Sequence, residues 1–546
     1  MLAALLVACP VVAVVVLALS PETPVFDHLA STVLPRYLAT TGWLMLGVGI
    51  GTGVLGVSSA WLVTMYRFPG VRVFEWALLL PFAIPAYVIA FVYTEMLEYA
   101  GPVQGALRAL FGWRSARDYW FPEIRSLGGA ILMMTLVFYP YVYLLTRAAF
   151  LEQSAGMVEV SRTLGRGPWR SFFAVSLPLA RPSIAIGLSL VLMETLNDYG
   201  TVDFFAVQTL TLGIFDVWRH MSSLSGAAQI ATLMLVLVVL LIGIERIARR
   251  SQSFHHTTRR QRPQTPTALG PWGSAVAVLA CMIPLGFGFL LPATVLARDA
   301  WIYVDLVAQP EFLRTAGNSL LLSSLAALLA VLIAIVLAYG LRLRPSSLLR
   351  TATRLASVGY AVPGAVLAIG VLIPLAWLDN SVDAFFRASF GISTGLVLSG
   401  TIVAVTLGYL ARFLALSVGA IEASLARITP SMDGAARTLG AGPGRTLLRV
   451  HLPMIRGSIL AAVILVFVDS MKELPMTVVM RPFNFETLAT MVHQYSATER
   501  FGAAAPSALA IVLVGLLPVV LLSHVIGLTR EEAPPLAEAA PALEIV

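Results

Sequence analysis

The sequence predicts an all-α integral membrane protein of about twelve transmembrane helices, arranged as two parallel six-helix repeats. Three observations predict it: the composition, the length of the apolar runs, and a polar segment that is written twice. Of 546 residues, 58% are hydrophobic and 12% charged, with a mean hydropathy of +0.85; soluble domains carry about 25% charged residues. Crossing a ~30 Å hydrocarbon core takes roughly 20 helical residues, and runs of that length recur along the chain. They must be helical, because lipid offers no partner for an unpaired backbone group. Finally, "SRTLGRGPWR" at 161–170 and "ARTLGAGPGR" at 436–445 agree at seven of ten positions, 275 residues apart.

The predicted spans cover about 2–20, 38–64, 73–96, 128–148, 180–200 and 227–245 in the first half. In the second half they cover 272–292, 317–340, 355–377, 392–417, 455–476 and 504–528. The first run, "MLAALLVACPVVAVVVLALS", has no basic n-region and no clear small-residue cleavage site, so it is read as a retained span. With the N-terminus in the cytoplasm, 24 of the 36 Lys and Arg fall in cytoplasmic segments, Arg147 and Arg412 among them. The positive-inside rule therefore selects that orientation, with both termini cytoplasmic. These arginines sit in short loops between spans and make no continuous patch, which excludes a nucleic-acid partner; the surroundings are membrane lipid.

The polar, basic, proline-bearing stretch "ERIARRSQSFHHTTRRQRPQTPTALGP" separates the two halves. The expected organisation is a first permease half at 1–246, a basic cytoplasmic linker at 247–270, a second half at 271–530 and a disordered tail at 531–546. His255 and His256 in the linker lack further ligands and helical spacing, so they read as solvated. Cys9 and Cys281 fall in the first span of each half; two such thiols make no disulfide framework and read as small apolar fillers.

Each copy of the repeated segment lies between the fourth and fifth spans of its half, in a loop of about thirty residues, too long for a simple turn. A short helical run ends at Gly165 or Gly440, a natural left-handed position. An arginine-bearing run follows, then Leu177-Pro178 or Leu452-Pro453, with proline placed to open a helix. A helix–turn–helix of this kind is a rigid knob suited to docking on another protein.

These residues resemble the EAA loop of ABC importer permeases. Glu159-Val160-Ser161 precedes Gly165 with that family's spacing, and Leu177-Pro178 closes the motif; in the second copy Gly434-Ala435-Ala436 precedes Gly440, with Asp433 one residue before the missing glutamate. The resemblance implies a type I ABC importer permease fold and a loop that docks on an ATPase. It makes Glu159, Arg162, Gly165, Leu177 and Pro178, and Asp433, Arg437, Gly440, Leu452 and Pro453, candidates for coupling. The chain's single lysine, Lys472, is followed by Glu473, so it has no Gly-x-x-x-x-Gly-Lys-[Ser/Thr] phosphate loop. No cofactor is then bound by this chain, and ATP with Mg is used by a partner, which the resemblance implies is two copies of an ATPase subunit.

Ionisable residues inside a membrane are costly and mark functional candidates. "METLNDYGTVDFF" in the first half and "VDSMKELPMTVVM" in the second align Glu194 with Asp469, Asn197 with Lys472 and Asp198 with Glu473. Acids at matching points of two halves would face each other across a pathway at their interface. Three roles fit them: passing a cation, pairing with Lys472 in a gate, or sitting in the outer headgroup region.

The stretches "MKELPMTVVMRPFNFETLATMVHQYSATERFGAAAPSALAIVL" and "LNDYGTVDFFAVQTLTLGIFDVW" resemble bacterial ferric-iron permeases in their fused two-half form. That resemblance implies a bacterial inner-membrane permease, not an enzyme, fed by a periplasmic binding protein. Fused thiamine permeases share the duplicated architecture and are the alternative. Ferric ion is a hard cation that wants several oxygen ligands, and no ligand-rich cluster accompanies these acids, so a metal site is not assigned and selectivity is expected in the binding protein. Asp299, Asp305, Asp379 and Asp383 are external acids available to contact it. A secondary transporter of the major facilitator type is the rival class, yet the informative loops are not between its second and third spans.

Overall fold

In the computed structural model, residues 2–19, 25–153, 167–250, 266–344, 346–356 and 358–531 are described. Among them nine helices are long and apolar enough to cross a membrane, and eleven if each of two bent pairs counts as one span. With the apolar helix Leu2–Leu19 they account for the twelve expected runs.

The third run of each half, read from sequence as one helix, is interrupted by proline. In the first half Val71–Ala77 and the short turn Leu80–Ala83 meet Ala86–Leu97 across Pro85, with an 89° bend. In the second half Ser347–Ala356 and Gly359–Ala361 meet Gly364–Phe390 across Pro363. The residue before a proline is pushed out of the helical region, and Ile84 (φ −96°, ψ 121°) and Val362 (φ −81°, ψ 127°) are accordingly extended. Both breaks lie near the middle of their runs.

The chain halves exchange their first helices. Leu2–Leu19 packs on Gly364–Phe390 of the second half as well as on Leu224–Arg250 of its own. The crossing with Gly364–Phe390 is so close that a Cβ at Gly370 would lie 2.2 Å from the Pro10 carbonyl oxygen. Reciprocally, the stretch Pro271–Leu285, Gly286–Leu290 and Leu291–Ile302 lies on the first half, where the Tyr93 hydroxyl donates to the Phe287 carbonyl at 2.7 Å. One continuous buried apolar cluster therefore spans both halves. The expected boundary divides the chain but not the packing. Leu224–Arg250 also runs four residues past position 246, and Thr267–Ala268 pairs in parallel with Tyr66–Arg67. His255, His256 and the tail beyond Glu531 lie outside the described residues. Cys281 is buried and Cys9 is exposed on the apolar surface; both are free.

The Leu-Pro pairs do not open new helices, contrary to the sequence reading. Pro168–Ser171, a π-turn at Phe172–Ser176 and Leu177–Asn197 form one continuous helix, and Pro178 sits just after the wide turn. A proline inside a helix lacks its N–H and crowds the carbonyl four residues back; a π-turn at that point widens the helix locally. The second copy repeats the device, with a π-turn at Leu447–His451 before Pro453, but then bends by 76° between Met454 and Arg456.

Candidate functional site: a charged central cavity and two repeated loops

Between the two halves lies a cavity of about 90 Å³ lined by residues of both, room for roughly three water molecules at ~30 Å³ each. Glu194, Asn197, Asp198, Asp469, Lys472 and Glu473, the six candidates for the pathway, all line it. The reason is local. Leu177–Asn197 and Arg456–Met471 both end here, and after one turn of loop each chain starts a short helix, Gly200–Phe204 or Pro475–Met480.

Asp198 and Glu473 hold those restarts. Asp198 accepts from the Thr201 N–H at 2.8 Å and its hydroxyl at 3.0 Å. Glu473 accepts from the Met476 and Thr477 N–H groups, both at 3.1 Å, and from the Thr477 hydroxyl at 3.0 Å. A carboxylate at a helix start satisfies orphan donors and suits the helix dipole. Lys472 pairs with Asp469 at 2.9 Å within its own helical turn and lies 4.5 Å from the Phe82 ring centre. Among the described residues its ion-pair partner is thus in its own half, while its ring contact, Phe82, belongs to the first half.

Within the cavity the ion pair between the halves is made by Arg412, which sequence reasoning placed among the cytoplasmic arginines. It lies ten residues into the 25-residue helix Ile402–Ala426, with its side chain 4% exposed. Its guanidinium donates to the Asn197 side-chain oxygen and lies 3.7 Å from both Glu194 and Glu473. Asn197 also accepts from the Gly364 N–H at 2.6 Å. A Cβ at Gly364 would come within 2.8 Å of Glu473 and 2.9 Å of Arg412, so the network closes only over a glycine. Position 412 fell inside the predicted span 392–417, which was the available signal. In the first half the residue 275 positions earlier is Val137, which lines the same cavity. The cavity thus follows the repeat in its acids and departs from it in its cation. Among the described residues no group of three or more His, Cys, Asp or Glu is placed to hold a metal ion.

In the first of the two repeated loops, Glu159, Arg162 and Gly165 lie outside the described residues. The second loop is complete: Pro430–Thr438, a left-handed Gly440 (φ +75°) and Pro443–Thr446 make the expected helix–turn–helix. Asp433 faces inward. It pairs with Arg342 at 2.6 Å and with the fully buried His451 at 2.8 Å. Arg342 also donates to the carbonyls of Leu425 (2.6 Å) and Ile428 (2.9 Å) at the end of Ile402–Ala426. Burial alone would raise the Asp433 carboxyl, but the Arg342 and His451 contacts outweigh it and hold it below the usual carboxylate range. Arg437 and Leu439 face outward at the tip, Leu439 86% exposed, and in the first loop Trp169 is 72% exposed.

Three of the four acids expected to be external serve the fold. Asp379 accepts from the backbone of Val397, Leu398 and Ser399, Asp383 organises Ser393 to Gly395, and Asp299 is buried against Arg298 at 2.7 Å. Asp305 is exposed.

Residues 52–251 match the family model of the binding-protein-dependent transport system inner membrane component. An Fe(3+)-transport system permease protein of Haemophilus influenzae is 27% identical over 503 residues, 90% of each chain. A molybdenum transport system permease protein of Escherichia coli is 28% identical over 205 residues, 36% of this chain and 86% of that one. A putative 2-aminoethylphosphonate transport system permease protein of Salmonella paratyphi A is 30% identical over 224 residues, 40% of this chain and 73% of that one. All three are transport permeases. With its multi-pass helical body and duplicated loop, the chain belongs to the family of inner membrane components of binding-protein-dependent transport systems.

Proposed function

We propose that the chain is the permease of an ATP-binding cassette importer that moves ferric iron into the cytoplasm, delivered by a periplasmic binding protein and powered by two copies of a separate ATPase. The observation that carries this reading is the central cavity, where four carboxylates from matching positions of both halves converge against two cations. An excess of acid at mid-depth favours a cation, and the relative that covers 90% of this chain is named for Fe(3+) transport.

In this reading both termini are cytoplasmic, 1–246 and 271–530 are the two permease halves, and 247–270 links them. Each loop docks on one ATPase subunit: Glu159, Arg162, Gly165, Leu177 and Pro178 serve one, and Asp433, Arg437, Gly440, Leu452 and Pro453 the other. ATP binding with Mg brings the two ATPase subunits together and draws the loops inward, which tilts the halves and opens the cavity to the binding protein. Hydrolysis resets it toward the cytoplasm. The cavity passes the ion without a fixed ligand cage, and selectivity rests with the binding protein.

A small anion is the second reading, favoured by Arg412 and Lys472 in the cavity and by relatives named for molybdenum and 2-aminoethylphosphonate transport. Stimulation of ATP hydrolysis by the reconstituted complex, screened with binding protein and candidate ligands, separates the two. Stimulation by ferric iron supports the proposal. Stimulation by molybdate, a phosphonate or thiamine, and none by iron, overturns it.

A further inference from the structure

The charges of the central cavity balance locally except at one point. Lys472 is taken up by Asp469 in its own helical turn, and Asp198 and Glu473 are each held by donors of the short helix that follows. Among the described residues, Glu194 has one ion-pair partner, Arg412, at 3.7 Å. The same guanidinium reaches Asn197 and stands 3.7 Å from Glu473, so one side chain of the second half serves acids of both. At that separation the contacts to the acids are ion pairs and not hydrogen bonds, well short of the two-pronged geometry a guanidinium makes when locked onto one carboxylate. The Arg412 Nε, and the hydroxyl of Tyr87 that also lines the cavity, are buried without a partner. Spare donors facing a cavity of water size, and a cation shared loosely between acids, describe a charge held in place by field and free to shift.

We infer that Arg412 is a tethered counter-cation. It occupies the acid-lined site between turnovers, closes that site to free cations, and yields its place beside Glu194 and Glu473 to the incoming ion as the halves move. The chemistry suits the task. A guanidinium keeps its charge at any working pH, so the plug cannot be lost by deprotonation, and its tether prevents its escape with the cargo. One copy suffices because the site lies between the halves, and the matching position of the first half is Val137. The inference rests on the reading of the cavity as a cation path.

The test uses the permease–ATPase complex in vesicles without ATP or binding protein. The probe is Ca²⁺, a hard cation that carboxylates accept, read by a trapped calcium-sensitive dye. Arg412→Gln should admit Ca²⁺ roughly tenfold faster than wild type, because the uncovered acids now recruit ions from solution. Adding Glu194→Gln to that variant should bring the rate back by about threefold or more. Arg412→Lys, whose single-point charge is too short to serve both acids, should leak at least about threefold above wild type. A membrane-inserted, ATPase-bound R412Q as tight as wild type overturns the inference; should R412Q not assemble, an R412K as tight as wild type does so. ATP-driven iron uptake by the wild-type complex is measured in parallel. Its absence would remove the ferric reading and leave the leak result standing, whereas tight variants beside normal uptake would remove the role of Arg412 alone.

Discussion

Two residues of the second loop show how single side chains set its geometry. Asp433 stands one position before the glycine that replaces the motif's glutamate, and it supplies a carboxylate from there, clamped between Arg342 and His451. Hydrogen bonds to charged groups contribute about 1.5–3 kcal/mol each, so Arg342→Ala should loosen Pro430–Thr438 by roughly that amount, seen as faster proteolysis within the loop. The Asp433 carboxyl sits below its ordinary value, so the stability it contributes is fully present above that value and is lost as pH falls through the lowered one. Loop proteolysis should therefore be flat from neutral pH down to mild acid and rise only below the usual carboxylate range; a rise already near neutrality would contradict the pairing. Gly440 has open space around it but a φ of +75°. A left-handed residue with a side chain costs about 1–2 kcal/mol, more when β-branched. Gly440→Val should leave the chain inserted while ATP hydrolysed per ion moved rises, and Gly440→Asn should be close to wild type; normal stoichiometry in the valine variant would count against a rigid knob.

At the scale of elements, much was legible and the exceptions have physical causes. Apolar runs located the twelve helices because lipid imposes length and hydropathy on a span. The 275-residue repeat also picked out six residues that line one cavity, because equivalent positions of two repeats meet between the halves. The breaks at Pro85 and Pro363 were not read, since a proline inside an apolar run leaves its hydropathy unchanged. Arg412 was missed for a related reason: counting arginines by loop assigns a buried one to the nearest polar stretch. The exchange of first helices leaves no mark in local sequence either, being a matter of which apolar face meets which. Its test is Gly370→Val, where a side chain would meet the Pro10 backbone. Overpacking of this kind costs about 1–3 kcal/mol, so the variant should unfold at lower temperature in the full chain, and the same substitution should cost little more in a chain already lacking residues 2–19. An equal loss in both backgrounds would mean the two helices are not paired at that point.

For the whole molecule the halves are alike in plan and unlike in detail. Their acids match, but only the second half contributes Arg412; their loops match, but one continues straight into its span while the other bends by 76°. A pathway with one plug and two unequal handles would move its halves unequally in the transport cycle. If the acids of the cavity carry the transported ion, ATP-driven uptake of radioactive ferric iron into vesicles holding the permease, its ATPase and its loaded binding protein should separate wild type from Glu194→Gln/Asp469→Asn. Wild type should take up iron, and the double variant should lose uptake roughly tenfold or more, the cost of removing two charges from the path, with ATPase assembly intact. Undiminished uptake by the double variant would contradict that role of the acids.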